Sequence, residues 1–490
     1  MAGVKEQFGS TRRDFIRSVA GAVGAIAVDA PDLKAQAMPT SSSQKKPNFV
    51  FFLGEGVRWD EFSFAGNKII HTPNIDRLAH EGMVFRNAFV VNALCLPSRA
   101  SILTGLYSHT TGAVDNRDRP IPPAAPVISD LLRAAGYDVA FIGKSHVKGS
   151  LRDRYWDYYF GFDGQAEYYS PTITEGVRGV FGQPKKYDGN YVEDLLLEKA
   201  LNYLNQPHDR PFCLFLWFYA PHAPFYRPRR LLDLYNGVPI PKPATFDDDL
   251  KGYLGKPRAF VEARNKIGTT EMEDDARSLE ELVKDHYAGV VSNDEAVGKV
   301  VQVLEDKHAL DDTAILFSSD HGFFLGEWRI FDKRFMHEPS IRVPLIIRYP
   351  RMIRPGTSIG QMALNLDLAP SILELAGIPI PIAMQGKSLV PFLNGETPVD
   401  WRKDWLYEYY EFPEDEHVPP HRGVRSDRYK LIHYYTMVPQ EYELYDLQVD
   451  PGERNNLWAE SAYNRLSEQL LTRIDELRKQ TGDHLPDTIT

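Results

Sequence analysis

Cysteine is nearly absent from this 490-residue chain: there are two, Cys95 and Cys213. Two cysteines close at most one bridge, so the fold is no disulfide scaffold and must rest on its core. An excess of basic charge is missing as well. Lysine and arginine total 56 against 67 aspartates and glutamates, a formal charge of −11. That balance argues against nucleic acid as the partner, since phosphate binding needs clustered cations. It leaves room for an anionic small substrate, because charges are screened over about 10 Å and a local cationic pocket acts on its own. No apolar run is long enough to span a membrane, and there is no internal repeat. With 43% hydrophobic and 25% charged residues, the chain has ordinary globular composition. Its length suits one large α/β domain plus a smaller one.

The first 37 residues read as a signal rather than as fold. Thr11-Arg12-Arg13-Asp14-Phe15-Ile16-Arg17 is a twin-arginine pattern. A weakly apolar stretch from Val19 to Val28 follows, and Ala35-Gln36-Ala37 offers a small-residue cleavage site. The expectation is export by the twin-arginine translocase to the periplasm or beyond, after folding. A cofactor or side-chain modification can then be installed in the cytoplasm.

From residue 38 to about 385, β-rich apolar runs alternate with helical patterns. The runs are Asn48–Leu53, Asp138–Ile142, Phe212–Tyr219, Thr313–Ser318 and Val343–Arg348. Continuous apolar runs of this length suit strands buried on both faces. Helices are expected after Thr72-Pro73 up to Gly82, over Ile128–Ala135, Tyr191–Leu204 and Glu280–Leu304. The alternation predicts an α/β fold: a mostly parallel central sheet with helices on both faces. From 386 to 490 the texture changes to short Tyr-rich segments, Trp405–Tyr410, Gly423–Ser426, Tyr429–Tyr435 and Glu443–Asp446. These predict a small antiparallel sheet, closed by a helix over Ala462–Gln480. Ala244–Asp275 is polar and irregular and reads as a surface excursion. Cys213, inside an apolar run, reads as a buried strand residue.

In a parallel α/β sheet ligands bind beyond the carboxyl ends of the strands, and there the polar residues concentrate. Glu55 follows the first run. Lys144 and His146 follow the second, spaced so that an extended chain points both to one side. Pro221-His222-Ala223-Pro224 follows the third, and Asp320-His321 the fourth. One such residue alone is more often structural; four strand ends together point to a site. Glu55, Asp320 and His321 are ligand types for a divalent cation. Lys144, His146 and His222, joined by Lys333, suit an anion. A metal beside a cationic pocket is a common arrangement for phosphoryl or sulfuryl transfer.

Cys95 opens Cys95-Leu96-Pro97-Ser98-Arg99, with Thr104-Gly105 after it. Pro97 fits a first helical turn and Gly105 a helix end. A thiol at a helix N-terminus near an arginine has a lowered pKa and is reactive. A plain thiol nucleophile is one reading, but it usually relies on a His–Asn/Asp partner without a metal, whereas the neighbours here have the character of metal ligands.

These elements together resemble the sulfatase family. Cys95-x-Pro97-Ser98-Arg99 with Thr104-Gly105 is similar to its signature, in which the cysteine is oxidised to formylglycine. His71-Thr72-Pro73-Asn74-Ile75-Asp76-Arg77-Leu78, Gly143-Lys144-Ser145-His146, Ser319-Asp320-His321-Gly322, Arg342-Val343-Pro344 and the segment 444–452 extend the likeness over nearly all of 47–460. The resemblance implies the alkaline-phosphatase-like fold and a formylglycine-generating enzyme as a modifying partner. It implies calcium as the usual ion, held by Glu55, residue 95, Asp320 and His321. By the same resemblance, hydrated formylglycine 95 attacks sulfur through one hydroxyl, and loss of the other hydroxyl's proton expels sulfate. Arg99 would steady that side chain, Lys144, His222 and Lys333 would hold sulfate oxygens, His146 would lie near the hydroxyls, and His222 would protonate the leaving group.

The chain departs from the pattern after its first strand. The family has two adjacent acids there; this sequence has Glu55 and Gly56. The expectation is a reduced metal shell completed by water or another residue. Two other functions stay open: a phosphonate or phosphate ester hydrolase using the same signature, and a silent glycan-binding protein. Tyr407-Glu408-Tyr409-Tyr410-Glu411-Phe412-Pro413, His417 and His421-Arg422-Gly423-Val424-Arg425 resemble the corresponding stretch of enzymes that desulfate amino sugars in glycans. Packing of a Tyr-rich strand on the core explains the same residues equally well.

Overall fold

The computed structural model describes residues 45–117, 120–147, 151–248, 255–267, 277–411 and 417–486; the expected signal at 1–37 lies outside them. In chain order the strands are β1 (Asn48–Gly54), β2 (Met83–Phe89), β3 (Asp138–Lys144), β4 (Tyr158–Phe162), β5 (Thr172–Val177), β6 (Val180–Phe181), β7 (Lys185–Lys186), β8 (Phe212–Trp217), β9 (Thr313–Ser319), β10 (Arg342–Val343), β11 (Leu345–Arg348), β12 (Thr357–Leu364), β13 (Asp404–Tyr409), β14 (His421–Ser426), β15 (Tyr429–Tyr434) and β16 (Glu441–Asp446).

β1 explains the architecture. Its residues are apolar on both sides, so neither face can meet water. Phe49, Phe51 and Leu53 enter one core, with Leu96, Ile102 and Leu103 of helix Cys95–Thr104. Val50 and Phe52 enter the other, with Val297, Val300 and Leu304 of helix Leu279–Asp306. Fully burying each such side chain contributes about 1.5–3 kcal/mol. The middle of the sheet, β9-β1-β8-β3-β4, is parallel throughout. Its register aligns Leu53 with both Trp217 and Ser318, and Trp217 with Gly143. The residues following those four strands therefore emerge at one edge.

The flanks differ from expectation. The run at 343–348 is broken by Pro344, and β11 lies antiparallel to both β9 and β2. β2 and β12, which pair in parallel, escape a search for apolar runs because Arg86 is exposed and Ser358 and Gly360 interrupt β12 with exposed positions. β5 closes the other side antiparallel to β4. The described residues of 244–275 are also not a surface excursion. Phe260 and Asn265 are buried, Lys256 pairs with buried Glu443 at 3.0 Å, and Lys266 gives its ammonium hydrogens to the carbonyls of Phe260, Val261 and Ala263. Polarity there marks satisfied buried lysines rather than exposure.

β13–β16 form the small antiparallel sheet, and helix Asn464–Thr481 lays Leu470, Ile474 and Leu477 into the first core. Cys213 is buried in β8, where burial pushes its thiol well up, and neither cysteine is in a disulfide. Among the described residues no helix is long and apolar enough to cross a membrane.

One buried ion pair ties this sheet to the nucleophile region. His109 Nδ1 lies 2.6 Å from Glu408 Oε2. Burial would lower the His109 pKa, but Glu408 outweighs it and raises the value to about 9. The free imidazole titrates near 6.5. The stabilisation is therefore complete below about pH 6.5 and is lost as pH rises through about 9, at no more than about 1.4 kcal/mol per pH unit. Thermal unfolding of His109→Gln is expected to lose this alkaline decline; an identical decline in the variant would assign it elsewhere.

Candidate active site

The strand ends deliver the side chains as the register requires. Glu55 follows β1, Lys144 closes β3, His222 follows β8, and Asp320 and His321 follow β9. Two glycines make this possible. Gly143 has φ +125°, and a Cβ there would collide with the Trp217 carbonyl of the adjacent strand. Gly56 has φ +68°, and a Cβ would sit 3.3 Å from His321 Cε1. His146 also has positive φ, 52°. The chain is therefore not extended after Lys144, and His146 reaches the site by a turn rather than by strand alternation.

Cys95 is the first residue of helix Cys95–Thr104, which ends on Gly105 at φ 67°. The Cys95 Sγ lies 3.1 Å from Glu55 Oε1 and 3.4 Å from His321 Nε2. Arg99, one turn along, is fully buried. Its Nε donates to Asp320 Oδ2 at 2.9 Å, its Nη2 to Glu55 Oε2 at 2.6 Å and its Nη1 to the Lys144 carbonyl at 2.5 Å. Lys144 Nζ adds a second cation to Glu55 Oε2 at 3.0 Å and donates to Gln165 Oε1 at 3.1 Å. Ser98 is buried and its Oγ accepts from Asn365 Nδ2 at 2.8 Å.

Burial and Glu55 both push the Cys95 thiol up, yet Lys144, Lys333 and His321 outweigh them and hold it well below its ordinary value. Burial would raise Glu55, but Lys144 and Arg99 keep it ionised. Asp320 is raised to about 6, by burial first and by Glu55 next. His321 is raised to about 10, because Asp320 and Cys95 overcome its burial. The cluster thus draws in positive charge beyond what its arginine and lysine supply.

Glu55, Cys95, Asp320 and His321 place one donor atom each within 4.8 Å of one another, all buried. His321 Nδ1 faces the Gly322 carbonyl at 2.8 Å. Nδ1 must carry a hydrogen, which leaves Nε2 as the nitrogen facing the cluster; a bound cation would take the place of the Nε2 proton, as a metal-binding imidazole requires. Two carboxylates, an imidazole and the residue-95 side chain fit a divalent cation by donor type and by charge. At the position of the missing second acid, the Gly56 amide donates to Asp320 Oδ1 at 3.1 Å, and Gly56 itself borders a cavity of about 970 Å³.

That cavity opens over the cluster. His222, Lys333, Asn116, Gln165 and Arg334 also line it. His222 Nδ1 faces the Ala223 carbonyl at 2.8 Å, while its Nε2 is buried without a hydrogen-bond partner, 3.9 Å from Glu55 Oε1. Burial, with Lys144, pushes its pKa down to about 4. Burial and Lys144 likewise lower His146. All the strand-end residues singled out in the sequence are therefore in one place, with Cys95 and Lys333.

For the C-terminal sheet, the structure favours the second of the two readings left open by the sequence. Tyr407, Tyr409 and His421 are fully buried, and rings of Phe335, Tyr407, Tyr409 and Tyr434 pack around His421. They form core rather than a sugar platform. Their contribution is support. The Tyr407 hydroxyl donates to the Arg334 carbonyl at 2.5 Å and accepts from the Ala93 amide at 3.3 Å, joining the Lys333 loop to the turn before Cys95. Glu411 pairs with Arg334 at 2.5 Å and accepts from the Asn116 amide at 3.3 Å, and Asn116 Oδ1 accepts from the Leu96 amide at 3.1 Å. Asn116 and Gln165 carry no signal in the sequence, whereas Tyr407 stands out there but for its ring rather than for the two loops its hydroxyl joins.

An α/β sheet with a helix-borne cysteine and a buried carboxylate–imidazole cluster at its carboxyl edge defines a metal-dependent ester hydrolase of the alkaline-phosphatase-like fold. Residues 47–378 match the sulfatase family and residues 326–480 match the C-terminal family of N-sulphoglucosamine sulphohydrolase. The chain belongs to the sulfatase family, whose members hydrolyse sulfate esters. It is 33% identical to an N-acetylglucosamine-6-O-sulfatase of Bacteroides thetaiotaomicron over 93% of this chain and 90% of that protein. It is 29% identical to a multifunctional alkaline phosphatase superfamily protein of Trinickia caryophylli, over 81% and 87%. A solved structure of a protein in complex with its substrate D-glucosamine-2-N,6-O-disulfate superposes with a TM-score of 0.83 and 33% identity, covering 91% of this chain and all of that one.

Proposed function

We infer that the protein releases sulfate from a 6-O-sulfated, N-substituted glucosamine residue of a glycan, with Cys95 converted to formylglycine and calcium as the ion. The observation that carries this reading is the cluster of Cys95, Glu55, Asp320 and His321, whose Glu55 and His321 border a cavity also lined by His222 and Lys333, with buried Lys144 paired to Glu55 beneath it. The likeness to a 6-O-sulfatase acting on N-acetylglucosamine supports the sugar.

The cation, held by Glu55, Asp320, His321 and residue 95, would supply Lewis acidity beside the sulfate, and the formylglycine hydrate would supply the attacking hydroxyl. The chain's own residues do the rest. Lys144 and Lys333 bring fixed positive charge to the sulfate oxygens, in a buried setting where it acts strongly. Arg99 holds Glu55 and Asp320 in place beneath residue 95. His146 lies next to residue 95 and takes up or returns its proton. His222 starts neutral, with its Nε2 lone pair free. A bound anionic ester offsets Lys144 and favours the protonated ring, which then gives its Nε2 hydrogen to the departing alkoxide. The twin-arginine pattern at Thr11–Arg17 and the cleavage site at Ala35–Ala37 support periplasmic delivery by the twin-arginine translocase, after a formylglycine-generating enzyme has acted.

Parallel assays with 6-O-sulfated N-acetylglucosamine, 4-nitrophenyl sulfate, a phosphodiester and a phosphonate monoester test this. Sulfate release from the sugar is expected to exceed hydrolysis of the phosphorus esters at equal concentration; the reverse order would make the protein a phosphonate or phosphate ester hydrolase. In His222→Gln the sugar substrate, a poor leaving group, is expected to lose about 10²-fold or more, in line with general acid catalysis, and the nitrophenyl ester much less. Equal losses would refute the acid role.

A further inference from the structure

The cavity volume of about 970 Å³ lies at the upper end of small-molecule sites, roughly 300–1,000 Å³, and exceeds what one sugar ring and its sulfate fill. The sulfate-binding groups lie on its floor. The wall built by the segment after β8 has a different character. Arg227 Nε pairs with Asp285 at 2.5 Å, and Arg230 pairs with Asp194 at 2.8 Å and with Glu295. Arg229, between them, has no carboxylate partner among the described residues. Its guanidinium rests over the Tyr169 ring, 5.5 Å from the centroid. Tyr169 is itself held, its hydroxyl donating to the Arg227 carbonyl at 3.1 Å. Tyr226, beside it on the same wall, is 54% exposed.

A guanidinium held over a ring and not spent on a carboxylate keeps N–H donors available, and its planar fork can grip a carboxylate or sulfate with two hydrogen bonds. An exposed tyrosine alongside suits the apolar face of a sugar. We propose that Arg229, seated on Tyr169 and flanked by Tyr226, forms a second anion subsite that binds the acidic group of the sugar adjoining the one desulfated. The preferred substrate is then an oligosaccharide in which the sulfated amino sugar is linked to a sugar bearing a carboxylate or a further sulfate. This rests on the reading of the floor as a sulfated amino-sugar site, and it extends recognition beyond a single residue.

The test compares kcat/KM for two 6-O-sulfated disaccharides, one with a uronic acid next to the amino sugar and one with that acid reduced to the alcohol, in the parent and in Arg229→Gln. Arg229 is exposed and unpaired among the described residues, so the variant is expected to fold as the parent does. The parent is expected to favour the acidic disaccharide by about tenfold, equivalent to one charge-assisted contact, chiefly in KM, and Arg229→Gln to bring the ratio close to one. A disaccharide carrying a second sulfate in place of the carboxylate separates the two anion sources. No preference in the parent, or a preference that survives in Arg229→Gln, overturns the subsite. Absence of sulfate release from either disaccharide, with aryl sulfate still hydrolysed, overturns instead the amino-sugar reading beneath it.

Discussion

Cys95→Ala is expected to abolish sulfate release, by about 10⁴-fold or more, while the protein stays folded. Losses of this size accompany removal of a nucleophile when the surrounding binding groups are kept. The geometry separates the two effects. The Cys95 sulfur faces Glu55 and His321 rather than the apolar core, so its removal takes away a reacting atom without opening a large hydrophobic void. Activity is followed as sulfate released from 4-nitrophenyl sulfate and from the sulfated sugar, and folding by thermal unfolding. The same peptide in active parent protein is expected to carry an aldehyde at position 95 by mass spectrometry. Parent-like turnover in Cys95→Ala, or a fully active protein with an intact thiol, would falsify this chemistry.

Arg99→Met is expected to destabilise the fold by about 3–5 kcal/mol, the range for breaking a buried ion pair from one side. Methionine replaces much of the volume, so packing is largely preserved. What disappears is a donor shared by Asp320, Glu55 and the Lys144 carbonyl, all inaccessible to water. Two carboxylates would then face each other with Lys144 as the nearest fixed cation. Thermal unfolding in the presence of a chelator measures the loss. A saturating divalent cation is expected to recover part of it, because binding to the folded state alone stabilises that state and restores positive charge between the carboxylates. Unchanged stability in chelator would show that Arg99 does not carry this balance.

Much of this site is legible in the sequence, for a physical reason. Parallel strands must be apolar on both faces, so the first polar residue after each run stands out, and topology brings those ends together. Glu55, Lys144, His222, Asp320 and His321 were found that way, and the motif around Cys95 supplied the nucleophile. What stayed hidden depends on contacts across hundreds of residues. β2 and β12 mix exposed and buried positions, so they leave no apolar run. The irregular stretch around Lys256 reads as solvent-facing because burying a lysine requires Glu443, which is 187 residues away. The tyrosines of β13 resemble a sugar platform in sequence, yet a phenol ring serves core packing equally well, and the partner of its hydroxyl decides which. For Tyr407 those partners, Arg334 and Ala93, belong to two separate loops.

That hydroxyl has a consequence for how such enzymes can be recombined. Because one side chain near the end of the chain fastens the turn before Cys95 to the loop bearing Lys333, the small sheet is not an interchangeable module. A hybrid joining the front of this chain to the tail of a distant relative would lose the fastener unless an equivalent phenol arrived with it. Its reactive turn would then be free to drift, however complete its own complement of ligands. Transplanting selectivity between such proteins therefore means moving the brace and the braced loops together.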